Sequence, residues 1–358
     1  MKKITATALF IVMVLALFTG CSQQSPAYID PIFPSVEYVN SLVDSLGEVN
    51  DIKSAALVSK IIEEYQFLDD VSKSKINDIQ RIFDSIEVAT TFLTENDITL
   101  KVMSFNIRYG EFTEDRIERV INLILKEEPD VIGLQEVTDQ WRKILKARLS
   151  DKYEFLGHGR NEDLSGEGSC VLHKKDSFKL IDSRTLWLTD TPEVWSKHPE
   201  SSHARILTFQ LLERKSDGQI FLHVNTHLDH IGEEARIAQA QMITSWINDT
   251  FSKQYPTVIT GDFNCLANTT EYQTIIDADY RVTNTFGENV RTYQGYNDNG
   301  GSIIDFCFVN DLFPIVSYKV CEEKTDGEWI SDHNAIVSEL ILLPTYDSID
   351  IPTEENAQ

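Results

Sequence analysis

The chain has 358 residues, of which 42% are hydrophobic and 10% are aromatic, enough for one large core and a smaller element. Its formal net charge is −25, and a surface this acidic repels polyanions at long range, which disfavours tight nonspecific binding to nucleic acid. The five cysteines form no CxxC pair and lack the dense spacing of a disulfide framework, so a zinc site built on such a pair is excluded.

The first twenty residues have the form of a secretory signal. Two lysines precede an uncharged, mostly apolar run over residues 4–20, which is short beside the ~20 apolar residues that a spanning helix prefers. Phe18-Thr19-Gly20-Cys21 resembles a bacterial lipobox, which implies a signal peptide over residues 1–20 and lipidation of Cys21. The alternative is an uncleaved membrane anchor. Both interpretations predict that the rest of the chain lies outside the cytoplasm, anchored at the bacterial cell membrane.

Residues 21–34 predict a short tether, and residues 35–94 predict a small helical module. This second segment contains no proline up to Leu93, and apolar residues recur at helical spacing. The pattern predicts a helical hairpin or three-helix bundle with breaks near Gly47 and Asp70. No cluster of chemistry-bearing side chains occurs there, so we interpret the module as a spacer or as a docking element for an unknown partner.

A different pattern, strand runs with interspersed helices, extends over residues 95–343. Apolar runs that predict strands are Leu100–Phe105, Val131–Leu134, Ile220–Val224, Thr257–Thr260, Ile303–Val309 and Ala335–Val337. Helical patterns begin at Thr113 and around Ala235. Strands dominate, so the sequence predicts an α/β domain of packed sheets flanked by helices. Residues 344–358 form an acidic, polar tail that we expect to be disordered.

Polar residues of catalytic type accompany every strand run. They are Asn106, Gln135-Glu136, Asn225-Thr226-His227, Gly261-Asp262-Phe263-Asn264, Asp305 and Ser331-Asp332-His333. Strand ends under loops are where α/β folds usually build their sites. A single acid of this kind could be a solvated turn residue, but six segments with the same feature predict one common site.

Taken in order, these segments resemble the motifs of the endonuclease/exonuclease/phosphatase superfamily, and the resemblance extends over residues 98–343. It implies a four-layered α/β sandwich, with two packed central sheets flanked by helices, that hydrolyses phosphate esters with Mg²⁺ or Mn²⁺. Many relatives carry arginine where this chain has Ile303, which weakens any transfer of substrate detail from nucleases.

The chemistry of phosphate-ester hydrolysis suggests a metal side of the site. Glu136 offers the hard oxygen ligand that Mg²⁺ or Mn²⁺ prefers. Asn106 and Gln135 would orient the ion or share its coordination. By correspondence with the family, Asp332 also lies on the metal side.

The remaining motif residues would handle water and phosphate. Asp262 would position or deprotonate the attacking water, and Asn264 would donate to the phosphate. His227 and His333 would contact phosphate oxygens, at least one of them as a cation. Asn225, in the motif of His227, is predicted to bind substrate.

The resemblance also implies partners for these groups. It implies that Asp305 orients His333, that Glu167 pairs with His227, and that Arg205 binds phosphate. Asp229-His230 is either a solvated turn or a supporting pair. The other histidines are expected on the surface or in the core; they include His158, His173, His198 and His223.

Three functions remain open at this point. The leading hypothesis is a membrane-anchored, metal-dependent phosphoesterase acting on a small-molecule or lipid-linked phosphate, as a mono- or diester. The second is a surface nuclease that degrades extracellular DNA or RNA, which the motifs permit and the charge disfavours. The third is a non-catalytic docking protein whose helical module binds a partner.

Overall fold

The computed structural model describes residues 34–95, 98–252, 254–287, 290–325 and 327–343. The predicted signal peptide, the tether up to residue 33 with Cys21, and the predicted tail lie outside the described residues. Within the described ranges, every helix is too short or too polar to cross a membrane. The chain divides into two compact units, one holding residues up to Thr99 with Pro314–Val316 and the end of the chain from Ile341, the other holding Leu100–Phe313 and Ser317–Leu340.

The first unit contains the predicted helical module. Its helices are α1 Val36–Ser45, α2 Ile52–Phe67, α3 Asp70–Lys73 and α4 Ile79–Glu95. Ser35 caps α1 by accepting from the backbone N–H of Tyr38, and Asp51 starts α2 in a capping box with Ser54. The apolar faces read from the sequence meet in one buried core that includes Val39, Leu42, Ile61 and Ile82.

The second unit is built on two six-stranded sheets. The strands are β1 Thr99–Asn106, β2 Val131–Val137, β3 Tyr153–Leu156, β4 Gly168–Lys174, β5 Phe178–Trp187, β6 Ile206–Arg214, β7 Ile220–His227, β8 Thr257–Asp262, β9 Tyr280–Val282, β10 Asp305–Asn310, β11 Ile315–Cys321, β12 Lys324–Thr325, β13 Glu328–Trp329 and β14 Ala335–Ile341. One sheet has the order β11-β14-β1-β2-β4-β3 and the other β5-β6-β7-β8-β10-β9, while β12 and β13 form a small hairpin.

Helices cover the outer face of each sheet. On the first sheet, α5 Glu114–Glu127 and α6 Asp139–Leu149 bury a core that includes Val120, Leu134 and Trp141. On the second, α7 Glu233–Phe251 and α8 Thr270–Ile276 bury a core that includes Phe209, Ile243 and Tyr272. The layers therefore run helix, sheet, sheet, helix, and the predicted four-layered α/β sandwich is confirmed.

The space between the sheets is crossed by a chain of buried hydrogen bonds. Nδ1 of His173 lies 2.8 Å from Oε1 of Gln210, whose Nε2 donates to Nδ1 of His223 at 2.9 Å. Nε2 of His223 in turn lies 2.9 Å from Oγ1 of Thr260. Burial lowers the pKa of His223 to about 3, so this imidazole is neutral. His173 and His223 are thus core residues whose partners come from other strands.

The same network contains Asn225, and the prediction that this residue binds substrate is wrong. Its side chain is fully buried, with Nδ2 donating to the carbonyls of Leu134 and Cys170 at 2.9 Å each. Its Oδ1 accepts from Gln135 at 2.7 Å. The side chains of Gln135 and Asn225 lie between the sheets, because their positions on β2 and β7 face the opposite sheet. Gln135 is therefore also removed from the predicted metal side.

Gly133 shows how closely the sheets approach at this network. A Cβ atom there would lie 2.2 Å from Oγ1 of Thr260 and 2.4 Å from Oδ1 of Asn225. Only glycine leaves room for the hydrogen bonds that connect the two sheets.

Candidate active site

His227, Asp262 and Asp305 form a row across three neighbouring strands of the second sheet. His227 at the end of β7 is paired in register with Asp262 at the end of β8, and Asp262 with Asp305 at the start of β10. Directly paired residues point to the same face of a sheet, so the register alone brings these side chains together. Nε2 of His227 lies 3.4 Å from Oδ2 of Asp262.

His333 enters this row from the first sheet, just before β14. Its Nδ1 is 2.8 Å from Oδ2 of Asp305, and its Nε2 is 3.6 Å from Oδ2 of Asp262. Burial disfavours the charged imidazole, but the carboxylates of Asp305 and Asp262 outweigh it and raise the pKa of His333 to about 10. The Asp305–His333 pair implied by the family resemblance is therefore formed, and His333 is a cation at neutral pH.

Asp262 is a buried carboxyl at the centre of the site. Its Oδ1 accepts from the backbone N–H of Asn264 at 3.0 Å, and its Oδ2 accepts from Nδ2 of Asn106 at 2.9 Å. Burial and the negative charge of Asp305 raise its pKa to about 7. A carboxyl with such a pKa can exchange a proton with water near neutral pH.

Asn264 fixes the protonation state of His227. Its Nδ2 donates to the carbonyl of Leu228 at 3.1 Å and lies 3.0 Å from Nε2 of His227. Because a carbonyl can only accept, the amide nitrogen is oriented, and Nε2 of His227 must accept as well. Burial and the positive charge of Arg205 lower the pKa of His227 well below its usual range. His227 is therefore neutral, and His333 is the cation of the predicted pair.

Glu136 reaches the site through an irregularity in β2. The pairing of β2 with β4 shifts between Leu134 and Val137, and Glu136 has a positive φ of 60°. Its Oε1 accepts from Nδ2 of Asn106 at 3.1 Å, and its Oε2 accepts from the backbone N–H of Tyr109 at 2.8 Å. Burial raises the pKa of Glu136, and the charges of Glu167 and Asp332 raise it further.

Asn106, predicted to orient the metal ion or share its coordination, is hydrogen-bonded through both ends of its amide. Its Oδ1 accepts from the backbone N–H of Arg108 at 3.0 Å, and a backbone N–H can only donate. The amide nitrogen is thereby turned toward Glu136 and Asp262 and bridges their carboxylates. Asn106 thus positions the two acids, and its share in coordinating an ion stays a prediction.

Arg108 is a site residue that the sequence analysis missed. Its Nη1 lies 2.5 Å from Oδ2 of Asp332, and its guanidinium packs over the rings of Tyr109 and Tyr296 at 5.4 and 5.5 Å. Arg108 follows Asn106 by two residues at the same strand end, and this position was the signal available in the sequence. The guanidinium of Arg108 is thus a cation beside Asp332, on the predicted metal side.

Two groups of side chains could hold a divalent ion. Ligand atoms of Asp262, Asp305 and His333 lie within 4.8 Å of one another. However, Nδ1 of His333 is already bonded to Asp305, and a cationic imidazole has no free lone pair for a metal. Glu136, with the negative charge of Asp332 nearby, offers the hard oxygen donors that Mg²⁺ and Mn²⁺ favour, and a cation would relieve the repulsion that raises its pKa.

The predicted pairing of Glu167 with His227 is wrong. Glu167 instead forms a two-pronged ion pair with Arg160, with Nη1 to Oε2 at 2.9 Å and Nη2 to Oε1 at 3.1 Å. The backbone N–H of Arg160 also donates to the carbonyl of Glu167, so the loop between them closes on itself and brings the two side chains face to face. Glu167 still lies close enough to affect the charge of Glu136.

Arg205 and Asp229 are buried together beside the row. Nε of Arg205 is 3.4 Å from Oδ2 of Asp229, and its Nη2 is 3.1 Å from Nδ1 of His230. Asp229 is fully buried and accepts from the backbone N–H groups of Ser202 at 3.0 Å and Gly232 at 2.9 Å. The interpretation of Asp229 as a solvated turn is therefore wrong, since this carboxylate holds two loops together.

Comparison with known proteins agrees with this geometry. The model of the Endonuclease/Exonuclease/phosphatase family matches residues 103–333, more than half of the chain. An endonuclease/exonuclease/phosphatase from Bacteroides vulgatus is 30% identical, with a TM-score of 0.64 over 68% of this chain and 99% of that one. A mannosyl-6-phosphatase from Bacteroides thetaiotaomicron is 25% identical, with a TM-score of 0.62 and coverage of 68% and 99%.

Longer eukaryotic proteins are also similar to this chain. Protein angel of Drosophila melanogaster is 23% identical over 48% of this chain and 49% of its own length. The CCR4-Not complex 3'-5'-exoribonuclease subunit Ccr4 of Saccharomyces cerevisiae is 22% identical over 55% of this chain and 29% of its own length. The chain thus spans about half or less of the length of these two relatives.

Proposed function

The chain belongs to the endonuclease/exonuclease/phosphatase family, whose members hydrolyse phosphoester bonds, and on this premise we propose that it is a metal-dependent phosphoesterase. The observation that carries the proposal is the row of His227, Asp262 and Asp305 with His333 facing it. The site thus combines the carboxyl of Asp262, whose pKa is about 7, with the cationic imidazole of His333. Hydrolysis by water requires two such groups, one to accept a proton and one to stabilise negative charge.

Asp262, Asp305 and His333 each have a part in this reaction. Asp262, once ionised, accepts a proton from the attacking water. His333 donates from Nε2 to a nonbridging phosphate oxygen, and Asp305 keeps that nitrogen aimed and charged. Mg²⁺ or Mn²⁺ held by Glu136, with Asp332 on the same side, would supply further charge neutralisation at the phosphate and the leaving oxygen.

The substrate we propose is a small-molecule or lipid-linked phosphate. The charge of −25 opposes the approach of a polyanion such as DNA or RNA, because like charges repel at long range. The similarity to a mannosyl-6-phosphatase supports including sugar phosphates among the candidates.

Assay of the purified protein against matched esters tests the proposal. With Mg²⁺ or Mn²⁺ present, we expect release of phosphate or alcohol from sugar phosphates, phosphoinositides or generic phosphate esters. Asp262→Asn and His333→Ala should each lower kcat at least about hundredfold, as expected for removal of a general base or an electrostatic stabiliser. Asp249→Asn, an exposed acid on α7, is the control. Undiminished activity in Asp262→Asn contradicts the mechanism, and preferential degradation of plasmid DNA or RNA would make the protein a nuclease.

We also propose that the enzyme is held outside the cytoplasm by a lipid on Cys21. The support is the lipobox-like sequence at residues 18–21 after an apolar run. Metabolic labelling with a palmitate analogue should mark the wild-type chain and not Cys21→Ser, which should leave the membrane fraction. Equal labelling of both chains would contradict lipidation at this residue.

A further inference from the structure

The loops around the catalytic opening carry exposed apolar side chains. Leu164, Val194, Trp195, Ile231 and Leu266 are between 43% and 69% exposed. Exposure of side chains of this size costs free energy, because apolar surface stays in contact with water. Single exposed apolar residues are common on protein surfaces, so their distribution over the molecule decides whether they have a meaning.

Ile231 and Leu266 directly follow strands of the catalytic row. Ile231 lies four residues beyond the end of β7, and Leu266 lies four residues beyond the end of β8. The backbone N–H of Ile231 donates to Oδ1 of the buried Asp229 at 3.0 Å, and the carbonyl of Leu266 accepts from Oγ1 of Thr269 at 2.9 Å. The backbone at both positions is therefore held by hydrogen bonds, while the side chains stay exposed.

Leu164, Val194 and Trp195 lie at the same end of the sandwich. Leu164 is on the loop from β3 to β4, and the start of β4 is paired with Val137 at the end of β2. Val194 and Trp195 are on the loop from β5 to β6, and the start of β6 is paired with the end of β7. The backbone N–H of Val194 donates to the carbonyl of Thr191 at 3.1 Å, so this loop is ordered as well.

Three tyrosines continue this surface on the metal side of the site. Tyr109, Tyr293 and Tyr296 are between 37% and 50% exposed. The backbone N–H of Tyr109 donates to Glu136, and the ring of Tyr293 lies 4.9 Å from the ring of His333. Tyrosine combines an apolar ring with a polar hydroxyl, which suits a boundary between apolar and wet surroundings. We call these three tyrosines and the five side chains above the apolar rim.

The opposite end of the sandwich has little surface of this kind. Among the described residues of the second unit, the exposed large apolar side chains outside the apolar rim are Ile181 and Leu312. Ile181 lies within β5, and Leu312 lies at the opposite end, on the turn that follows β10. Exposed apolar side chains are thus concentrated at the catalytic end, and such a concentration marks a surface that another molecule covers.

We propose that the apolar rim docks on the surface of a lipid bilayer and that the scissile phosphate belongs to a lipid of that bilayer. This proposal rests on the proposed function and narrows its substrate class to lipid-linked phosphates. The rim comes from six separate loops that surround the opening to the catalytic row. Apolar and aromatic side chains in such a ring enter the headgroup region around one lipid, whose phosphate then lies over the site.

A bilayer fits the apolar rim better than a soluble partner does. A protein or a second copy of the chain seated on the whole ring would close the opening to substrate, whereas a bilayer supplies the substrate through it. The lipobox-like sequence at residues 18–21 supports the same occupant, because a lipid on Cys21 would keep the chain at a bilayer. With a net charge of −25, the chain is not attracted to anionic headgroups, so apolar contacts must carry the docking.

Two lipids that differ only in acyl chain length test the proposal in the full-length protein with Mg²⁺. They are dioleoyl phosphatidic acid in phosphatidylcholine vesicles and dibutanoyl phosphatidic acid in solution, and water converts each into a diacylglycerol and inorganic phosphate. The double variant Ile231→Ser/Leu266→Ser should lower kcat/KM on the vesicles about tenfold to hundredfold, the effect of burying about one complete aliphatic side chain less. It should leave kcat/KM for the dibutanoyl lipid unchanged, which also shows that the variant is folded.

Leu312→Ser is the matched control, because Leu312 is exposed at the opposite end of the sandwich. It should change the hydrolysis of neither lipid. Equal losses on both lipids in the double variant, or a wild-type preference for the dibutanoyl lipid, would overturn the proposal. A wild type that sediments as a dimer, together with a double variant that sediments as a monomer, would make the apolar rim a self-association surface instead.

The fluorescence of Trp195 measures the lipid contact without catalysis. The structure describes all five tryptophans of the chain, and Trp195 is the most exposed of them. Vesicles of brominated phosphatidylcholine should quench the emission of the wild type and leave that of Trp195→Phe unquenched. The quenching should persist in about 0.5 M NaCl, because salt screens charges and does not weaken apolar contacts.

This measurement separates the docking from the proposed function. A protein that is inactive on every ester, and whose Trp195 is still quenched by the brominated lipid, would refute the proposed hydrolysis and keep the docking. Hydrolysis of the dibutanoyl lipid by a protein whose Trp195 is not quenched would refute the docking and keep the hydrolysis.

Discussion

Oδ2 of Asp305 accepts a 2.8 Å hydrogen bond from Nδ1 of His333, and the two residues come from different sheets. The bond fixes the imidazole with Nε2 toward Asp262 and favours its cation. Asp305 thus acts on the reaction through His333, in the way that a buried carboxylate orients a catalytic imidazole elsewhere.

Asp305→Asn should preserve the fold and damage catalysis. We expect kcat/KM to fall roughly hundredfold or more, because the amide can stabilise neither the right tautomer nor the charge of His333. The pKa of His333, about 10 in the wild type, should fall, so the alkaline limit of activity should move to lower pH. A pH profile of kcat/KM measures both effects, with Asp249→Asn as the control. An unchanged alkaline limit would show that His333 is not the group that titrates there.

Asp262→Asn should stabilise the protein at alkaline pH in the presence of a chelator. The unfolded carboxyl ionises near pH ~4, whereas burial raises its pKa in the folded protein to about 7. Between these values the folded state binds more protons, so the wild type loses stability as pH rises through this window. The variant should be more stable than the wild type at pH 8 by up to about 4 kcal/mol, since about three pKa units are worth about 1.4 kcal/mol each, and equal to it near pH 4.

Urea unfolding at the two pH values measures this difference. Asp249→Asn, whose carboxyl is exposed, should match the wild type at both. A variant that is less stable than the wild type at pH 8 would mean that the attraction between Asp262 and His333 exceeds the cost of burying the carboxylate.

Much of the site follows from the sequence because the polar residues that accompany each apolar run can be read from local sequence. The polar residues at or within apolar runs predicted one common site, and the paired registers of β7, β8 and β10 bring His227, Asp262 and Asp305 into one row. The helical module and the two sheets follow from hydrophobic periodicity in the same way.

The parts that the sequence did not reveal depend on individual contacts that residue types alone do not predict. Asn225 has a polar side chain in the same motif as His227, which suggested substrate binding, yet its hydrogen bonds go to the other sheet. Glu167 forms an ion pair with Arg160 across a loop, and no sequence pattern predicts that this loop closes. The orientation of the Asn106 amide is set by one hydrogen bond from the backbone N–H of Arg108. Any residue at position 108 other than proline carries this N–H, so the sequence does not reveal the contact.

Glu136→Gln should remove the response to divalent ions. Mg²⁺ or Mn²⁺ should raise the Tm of the wild type, since an ion bound only by the folded state stabilises it. The variant, which loses a negative charge and a hard oxygen ligand, should show no such rise. Because the pKa of Glu136 is raised, protons compete with the ion, and metal affinity in the wild type should weaken as pH falls.

Thermal melts and calorimetry at two pH values measure the metal response directly, without an activity assay. Glu328→Gln, at an exposed position of the hairpin strand β13, should behave as the wild type. If Glu136→Gln kept the full metal response, the ion would have to bind at another group of acids, and Asp262 and Asp305 would be the next candidates.

Asn225→Leu should destabilise the protein strongly and leave substrate affinity alone. The substitution leaves the carbonyls of Leu134 and Cys170 without their donor, and Nε2 of Gln135 without an acceptor, in a space sealed from water. Unsatisfied buried groups of this kind cost ~1–3 kcal/mol each, so a loss of about 3 kcal/mol or more is expected in urea unfolding. Asn268→Leu, at an exposed position, is the matched control. KM measured on the folded fraction should stay at the wild-type value, because Asn225 connects the sheets beneath the site; a raised KM with unchanged stability would instead return this residue to the substrate.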